Sequence, residues 1–88
     1  MTNQKVIVTS ASGLHARPAG ILVSKAKEFE AHLEILKGEK TINAKSIMGI
    51  LSLGTAKGDE LIIQAEGPDE AEAVAAMVNL FETVLAHE

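Results

Sequence analysis

Cysteine, tryptophan and tyrosine are all absent from the 88 residues. Without thiols there is no disulfide to staple a small fold and no cysteine-ligated zinc or iron–sulfur centre, and the chain suits a reducing compartment. Phe29 and Phe81 are the only aromatics, too few for a stacking platform on single-stranded nucleic acid. A net charge of −4 likewise disfavours a binder of phosphate backbones. No apolar run approaches the ~18 residues of a membrane span, and the opening MTNQKVIVTS lacks the apolar stretch of a signal peptide. These absences predict a soluble, cytoplasmic chain that neither inserts in membranes nor binds nucleic acid. Also missing are a glycine-rich nucleotide loop ending in Lys-Ser/Thr and a carboxylate cluster for Mg²⁺. The sequence points to a protein that holds a phosphoryl group without cleaving a nucleotide, with no cofactor and no metal.

What is present is an ordinary globular composition, 47% hydrophobic and 23% charged, sized for one domain spanning 1–88. Charge divides along the chain. Residues 1–27 hold Lys5, Arg17, Lys25 and Lys27 and no acid, whereas residues 58–88 hold eight acids and no Lys or Arg. The basic third suits an anionic ligand or an acidic partner.

Alternating β-branched residues predict strands at Lys5–Thr9, His32–Lys37, Lys40–Ala44 and Glu60–Glu66. Gly38-Glu39 between the second and third reads as a glycine-first, type II′ hairpin turn. Leu22, Val23, Ala26 and Phe29 recur at helical spacing after Ala16, and Pro18 belongs in the first turn of that helix, where its missing N–H loses no acceptor. Ser46 precedes a two-turn helix ending at Gly54. Asp69 and Glu72 read as an acidic capping box opening a last helix, with the stripe Val74, Met77, Val78, Phe81, Val84 and Leu85. The order β-α-β-β-α-β-α is an α+β, two-layer open-faced sandwich, in which three helices cover one face of a four-stranded antiparallel sheet.

The segment Gly13-Leu14-His15-Ala16-Arg17-Pro18 carries the chemistry. Pro18 fixes the helix start near Ala16, so His15 falls at or just before the N-cap and the N–H groups of Ala16 and Arg17 point beyond the helix end. Such an end attracts phosphate, and the Arg17 guanidinium meets two phosphate oxygens at once. The dipole field, about 0.3–1 kcal/mol, favours the neutral and nucleophilic imidazole at cellular pH. Taken singly, His15 is a loop histidine near a helix start; with the glycine, arginine and proline around it, it is a candidate phosphoacceptor. His32, at the start of a strand, and His87, near the C-terminus, have no such setting.

The second segment is Lys45-Ser46-Ile47-Met48-Gly49-Ile50-Leu51-Ser52-Leu53. Ser46 is an ordinary N-cap by spacing. The helix behind it is apolar nearly all round, which leaves Ile47, Met48 and Leu51 as an exposed, adhesive patch.

At these two segments the chain resembles HPr, the histidine-containing phosphocarrier family of the bacterial phosphoenolpyruvate-dependent sugar phosphotransferase system. GLHARPA at 13–19 is similar to that family's phosphohistidine motif, and KSIMGILSL at 45–53 to its regulatory serine motif. The resemblance covers the whole chain and implies a sheet order of 1-4-2-3. It implies that His15 takes a phosphoryl group on Nδ1 from phosphorylated Enzyme I and passes it to the A domains of sugar-specific Enzymes II, with Arg17 steadying the group. Ser46 would then be the target of an HPr kinase/phosphorylase, its phosphorylated form a partner of a catabolite-control repressor in Gram-positive bacteria. Partner docking falls on Ile47, Met48, Leu51 and Lys27, and the chain is expected to be a monomeric carrier without turnover of its own. The sister family Crh has Gln where this chain has His15. Gly20 and Ser24 depart from the family pattern of Ala or Thr and of Gln or Lys.

Two other readings stay open at this stage. One is a regulatory protein-binding module, Crh-like or part of a nitrogen-related phosphorelay, acting through Ser46 and the apolar patch. The other is a small anion-binding domain that uses the helix N-terminus.

Overall fold

A computed structural model of the chain describes residues 1–9 and 16–83. Its elements run β1 (Thr2–Ile7), α1 (Ala16–Ala26), β2 (His32–Lys37), β3 (Lys40–Asn43), α2 (Ile47–Ser52), β4 (Glu60–Glu66) and α3 (Glu70–Glu82). The four strands form one antiparallel sheet in the order β1-β4-β2-β3, as expected. Strand β4 therefore lies between β1 and β2, and each of the two crossovers carries a helix.

Register follows burial. Val6 lies opposite Leu61, Leu33 opposite Ala65 and Ile35 opposite Ile63, and all six are buried. Leu22, Val23, Ile50, Val74, Met77 and Phe81 of the three helices complete this core. Fully burying a Leu or Ile contributes about 1.5–3 kcal/mol, and a one-residue slip of a strand would turn its whole apolar set to water. The opposite sheet face carries Lys5, Ile7, Ile62 and Gln64 outward. The hairpin turn is of the expected kind, with Gly38 at φ +58° and no positive φ at Glu39.

Boundaries shift where pairing overrides pattern. The first strand is Thr2–Ile7 rather than Lys5–Thr9, because β4 offers partners as far as Ala65 and recruits polar Thr2, Asn3 and Gln4. Val8 instead bonds the turn before β4: its N–H donates to the Asp59 carbonyl (2.9 Å) and its carbonyl accepts from Gly58 (2.7 Å). Strand β3 ends one residue early, at Asn43. Helix α1 ends at Ala26, so Phe29 lies past it, half-buried against the core, its N–H donating to the Ala26 carbonyl (3.2 Å). In α3 the stripe residues Val74, Met77 and Phe81 are buried and Val78 packs part-buried against them, joined by Leu80. Val84, Leu85 and His87 lie outside the described residues.

The capping box at Asp69 and Glu72 does not form. Asp69 occupies the N-cap position without a side-chain cap bond. Its carboxylate reaches across to the segment after α1, accepting from the N–H groups of Glu30 (2.9 Å) and Ala31 (2.8 Å). These bonds, Glu30's foremost, hold the Asp69 carboxyl below the usual range. The same junction explains Gly67: at φ +152° and with a would-be Cβ only 2.7 Å from Ala31 Cα, no side chain fits.

Glu70 takes the place foreseen for Glu72. It accepts from the Thr2 hydroxyl (2.6 Å) and the Gly67 N–H (3.3 Å), and the Met1 α-amino group lies 3.0 Å away. The Thr2 bond, then the amino group and Gly67, lower its pKa from 4.5 to about 2. Because the folded value lies below the unfolded one, the stabilisation is present above about 4.5 and is lost as pH falls toward about 2. Glu70→Gln is expected to flatten the acid limb of stability. Urea midpoints across that interval check this, and a slope identical to the parent's would refute it.

Candidate functional site at the start of α1

Helix α1 begins at Ala16, with Pro18 its third residue and fully buried. Proline is pre-set for a first turn and gives up no helix hydrogen bond there. Ala16 and Arg17 are exposed at the helix end, where first-turn N–H groups have no acceptor within the helix and the dipole is positive. Gly13, Leu14 and His15 lie outside the described residues; His15 immediately precedes the first helical residue in sequence.

Along α1 runs a groove of about 510 Å³ lined by Arg17, Gly20, Ile21, Ser24, Lys25, Glu28 and Leu80. Lys25 Nζ lies 3.4 Å from Glu28 Oε1. A Cβ at Gly20 would meet nothing within 4 Å, so the fold does not require glycine there. Lys27 is exposed just past the helix end.

Helix α2 packs against α1, so the two motif-bearing helices are neighbours. Ser46 caps α2 as its spacing predicts: its backbone is extended (φ −116°, ψ 117°) and its Oγ accepts from the Gly49 N–H at 3.1 Å. Ile47 and Met48 are exposed, by 44% and 76%, which leaves an apolar surface on this helix. Leu51 corrects the expectation. It is half-buried and packs against the core beside fully buried Ile50, because α2 rests on α1 and β3.

Two features were not legible beforehand. Leu80 reaches the groove from α3, and Lys37 and Lys40 of the hairpin reach the carbonyls that end α2. No local pattern signals a contact between residues so far apart in the chain. His32 is a surface residue with Nε2 3.3 Å from Glu34 Oε2. Among the described residues no group of three or more His, Cys, Asp or Glu could hold a metal, and no helix is long and apolar enough to cross a membrane.

Comparison with known proteins sets this geometry in a family. The model of the PTS HPr component phosphorylation site matches residues 2–83. The phosphocarrier protein HPr of Treponema pallidum is 36% identical over 88 residues, the full length of both chains. An HPr crystal structure from Thermoanaerobacter tengcongensis superposes with a TM-score of 0.94 at 42% identity, covering 100% of this chain and 99% of that one. Crh of Bacillus subtilis, a catabolite repression protein crystallised as a swapped dimer, superposes at 0.74 with 38% identity over the whole of both chains. With the sheet order and the three helices in agreement as well, the chain belongs to the HPr family of phosphocarriers of the phosphotransferase system.

Proposed function

We propose that His15 of this carrier accepts a phosphoryl group on Nδ1 from phosphorylated Enzyme I and donates it to the A domains of sugar-specific Enzymes II. What supports the reading is the start of α1 at Ala16: the residue before it in sequence is His15, and the second residue of the helix is Arg17. The imidazole attacks phosphorus, an N–P bond forms as the donor's bond to phosphorus breaks, and the N–H groups of Ala16 and Arg17 with the Arg17 guanidinium hold the dianion. The group is carried and handed on, so the chain acts in the cytoplasm as a monomer without turnover of its own. Incubation with phosphoenolpyruvate and Enzyme I should add about 80 Da, one phosphate, in acid-labile form. No gain in mass would end the proposal.

Ser46 is assigned as a regulatory phosphorylation site, the target of an HPr kinase/phosphorylase, with a catabolite-control repressor as reader of the phosphorylated form. Ile47, Met48, the exposed edge of Leu51 and Lys27 form the docking surface for Enzyme I and Enzyme II A domains. His15, where Crh has Gln, favours the carrier over the purely regulatory reading. A phosphate at Ser46 adds about −1.5 to −2 charges at the N-terminus of α2, where the dipole favours it, so the helix is kept. Inhibition then comes from desolvating or repelling that charge against an acidic partner. Ser46→Asp is expected to weaken Enzyme I-dependent phosphorylation several-fold with helical content unchanged by circular dichroism. Unaltered transfer would reduce Ser46 to a cap.

A further inference from the structure

Helix α2 is too short to stand by itself. Six residues give few internal hydrogen bonds, and isolated helices this short are unstable in water. Its own last turn contains no basic residue to meet the carbonyls at its negative end. The missing cations come from the β2–β3 hairpin: Lys40 Nζ donates to the Ser52 carbonyl (2.6 Å), and Lys37 Nζ to the carbonyls of Leu53 (3.2 Å) and Gly54 (3.0 Å). Lys37 is held in turn by Asp59 Oδ2 at 3.1 Å, whose carboxylate also accepts from the Ala56 N–H (2.8 Å). The three ammonium donors of Lys37 are thus committed to three oxygens, on both sides of the loop that links α2 to β4.

We propose that Lys37 and Lys40 are positioning residues: they clamp the C-terminal end of α2 to the hairpin and so hold Ile47 and Met48 in the attitude that partners recognise. The functional half of this rests on the docking role proposed above for that surface. Charge-assisted bonds to carbonyls are stronger than neutral ones, and Lys37 is only about one-third exposed, so water screens it less than a free surface lysine. Ser46 fastens the other end of the helix, which makes α2 an element pinned at both termini and weak between them. Removing the clamp frees α2 locally while leaving the core of sheet, α1 and α3 closed.

The test is the double variant Lys37→Met/Lys40→Met, with Lys5→Met as control, because Lys5 makes only an exposed 3.4 Å pair with Glu60. Amide exchange reads the clamp directly. Ile50, Leu53 and Gly54, which bond back to Ser46, Ile50 and Leu51, should exchange roughly tenfold or more faster in the double variant, while Ile63 and Met77 stay protected. Phosphotransfer from Enzyme I should show KM raised about three- to tenfold with kcat held, since docking rather than chemistry is disturbed. Lys37→Arg/Lys40→Arg, which keeps both charges, should recover most of the loss. Unchanged exchange at α2 in a folded double variant overturns the clamp. Faster exchange with an unchanged KM overturns the positioning role. If the parent accepts no phosphate the carrier assignment itself fails, and the exchange result still decides the clamp. Should the double variant unfold, Lys40→Met alone, which loses one exposed bond, gives the same reading.

Discussion

His15→Ala is expected to abolish acid-labile labelling by phosphoenolpyruvate and Enzyme I altogether. Of the three histidines, only His15 adjoins a helix N-terminus in the sequence; His32 is an exposed strand residue beside Glu34, where a phosphoryl dianion would meet a carboxylate instead of a donor. The variant should keep its fold, because Pro18, Leu22 and Val23 anchor α1 independently of the residue before it. Labelling of a folded His15→Ala protein at the parent's level would mean that the phosphoryl group resides elsewhere, and peptide mapping of the label would show where.

Arg17→Ala comes next in size. A charge-assisted hydrogen bond contributes about 1.5–3 kcal/mol, so losing it from the phosphoryl-transfer transition state should slow transfer roughly ten- to a hundredfold. Arg17 is exposed on the second residue of α1, and buried Pro18, Leu22 and Val23 still anchor the helix, so the variant should fold. Arg17→Lys should fall between parent and Ala, because an ammonium keeps the charge but cannot present two parallel donors. Rapid-quench kinetics with phosphorylated Enzyme I measure this. Transfer at the parent rate in folded Arg17→Ala would remove the guanidinium from the phosphoryl site.

Local chemistry made much of this protein readable before any coordinates. Pro18 can sit only in the first turn of a helix, and α1 begins two residues before it. Gly38 permits the positive φ that a tight hairpin needs, and the turn is there. The alternation of Glu60–Glu66 specifies a strand with one wet face, and its ends match. Ser46, with its hydroxyl one turn from an N–H that has no helix acceptor, is a cap by the same short-range logic. Each of these rules acts within a short stretch of chain, seven residues at most.

Tertiary structure decided what depends on residues far apart. Asp69 looks like half of a capping box, yet two unpaired N–H groups at Glu30 and Ala31 lie within reach and claim its carboxylate, a contact spanning nearly 40 residues. Thr2, Asn3 and Gln4 have no strand pattern of their own and become a strand because β4 supplies the partners. Leu51 is half-buried because α2 packs on α1 and β3, and the carbonyls ending that helix are capped from the hairpin by Lys37 and Lys40 rather than from its own last turn. The residue order records which groups exist and what they favour nearby; which distant group meets an unsatisfied donor or acceptor is settled only when packing brings the two together, since a buried or half-buried polar group takes whichever partner the fold presents.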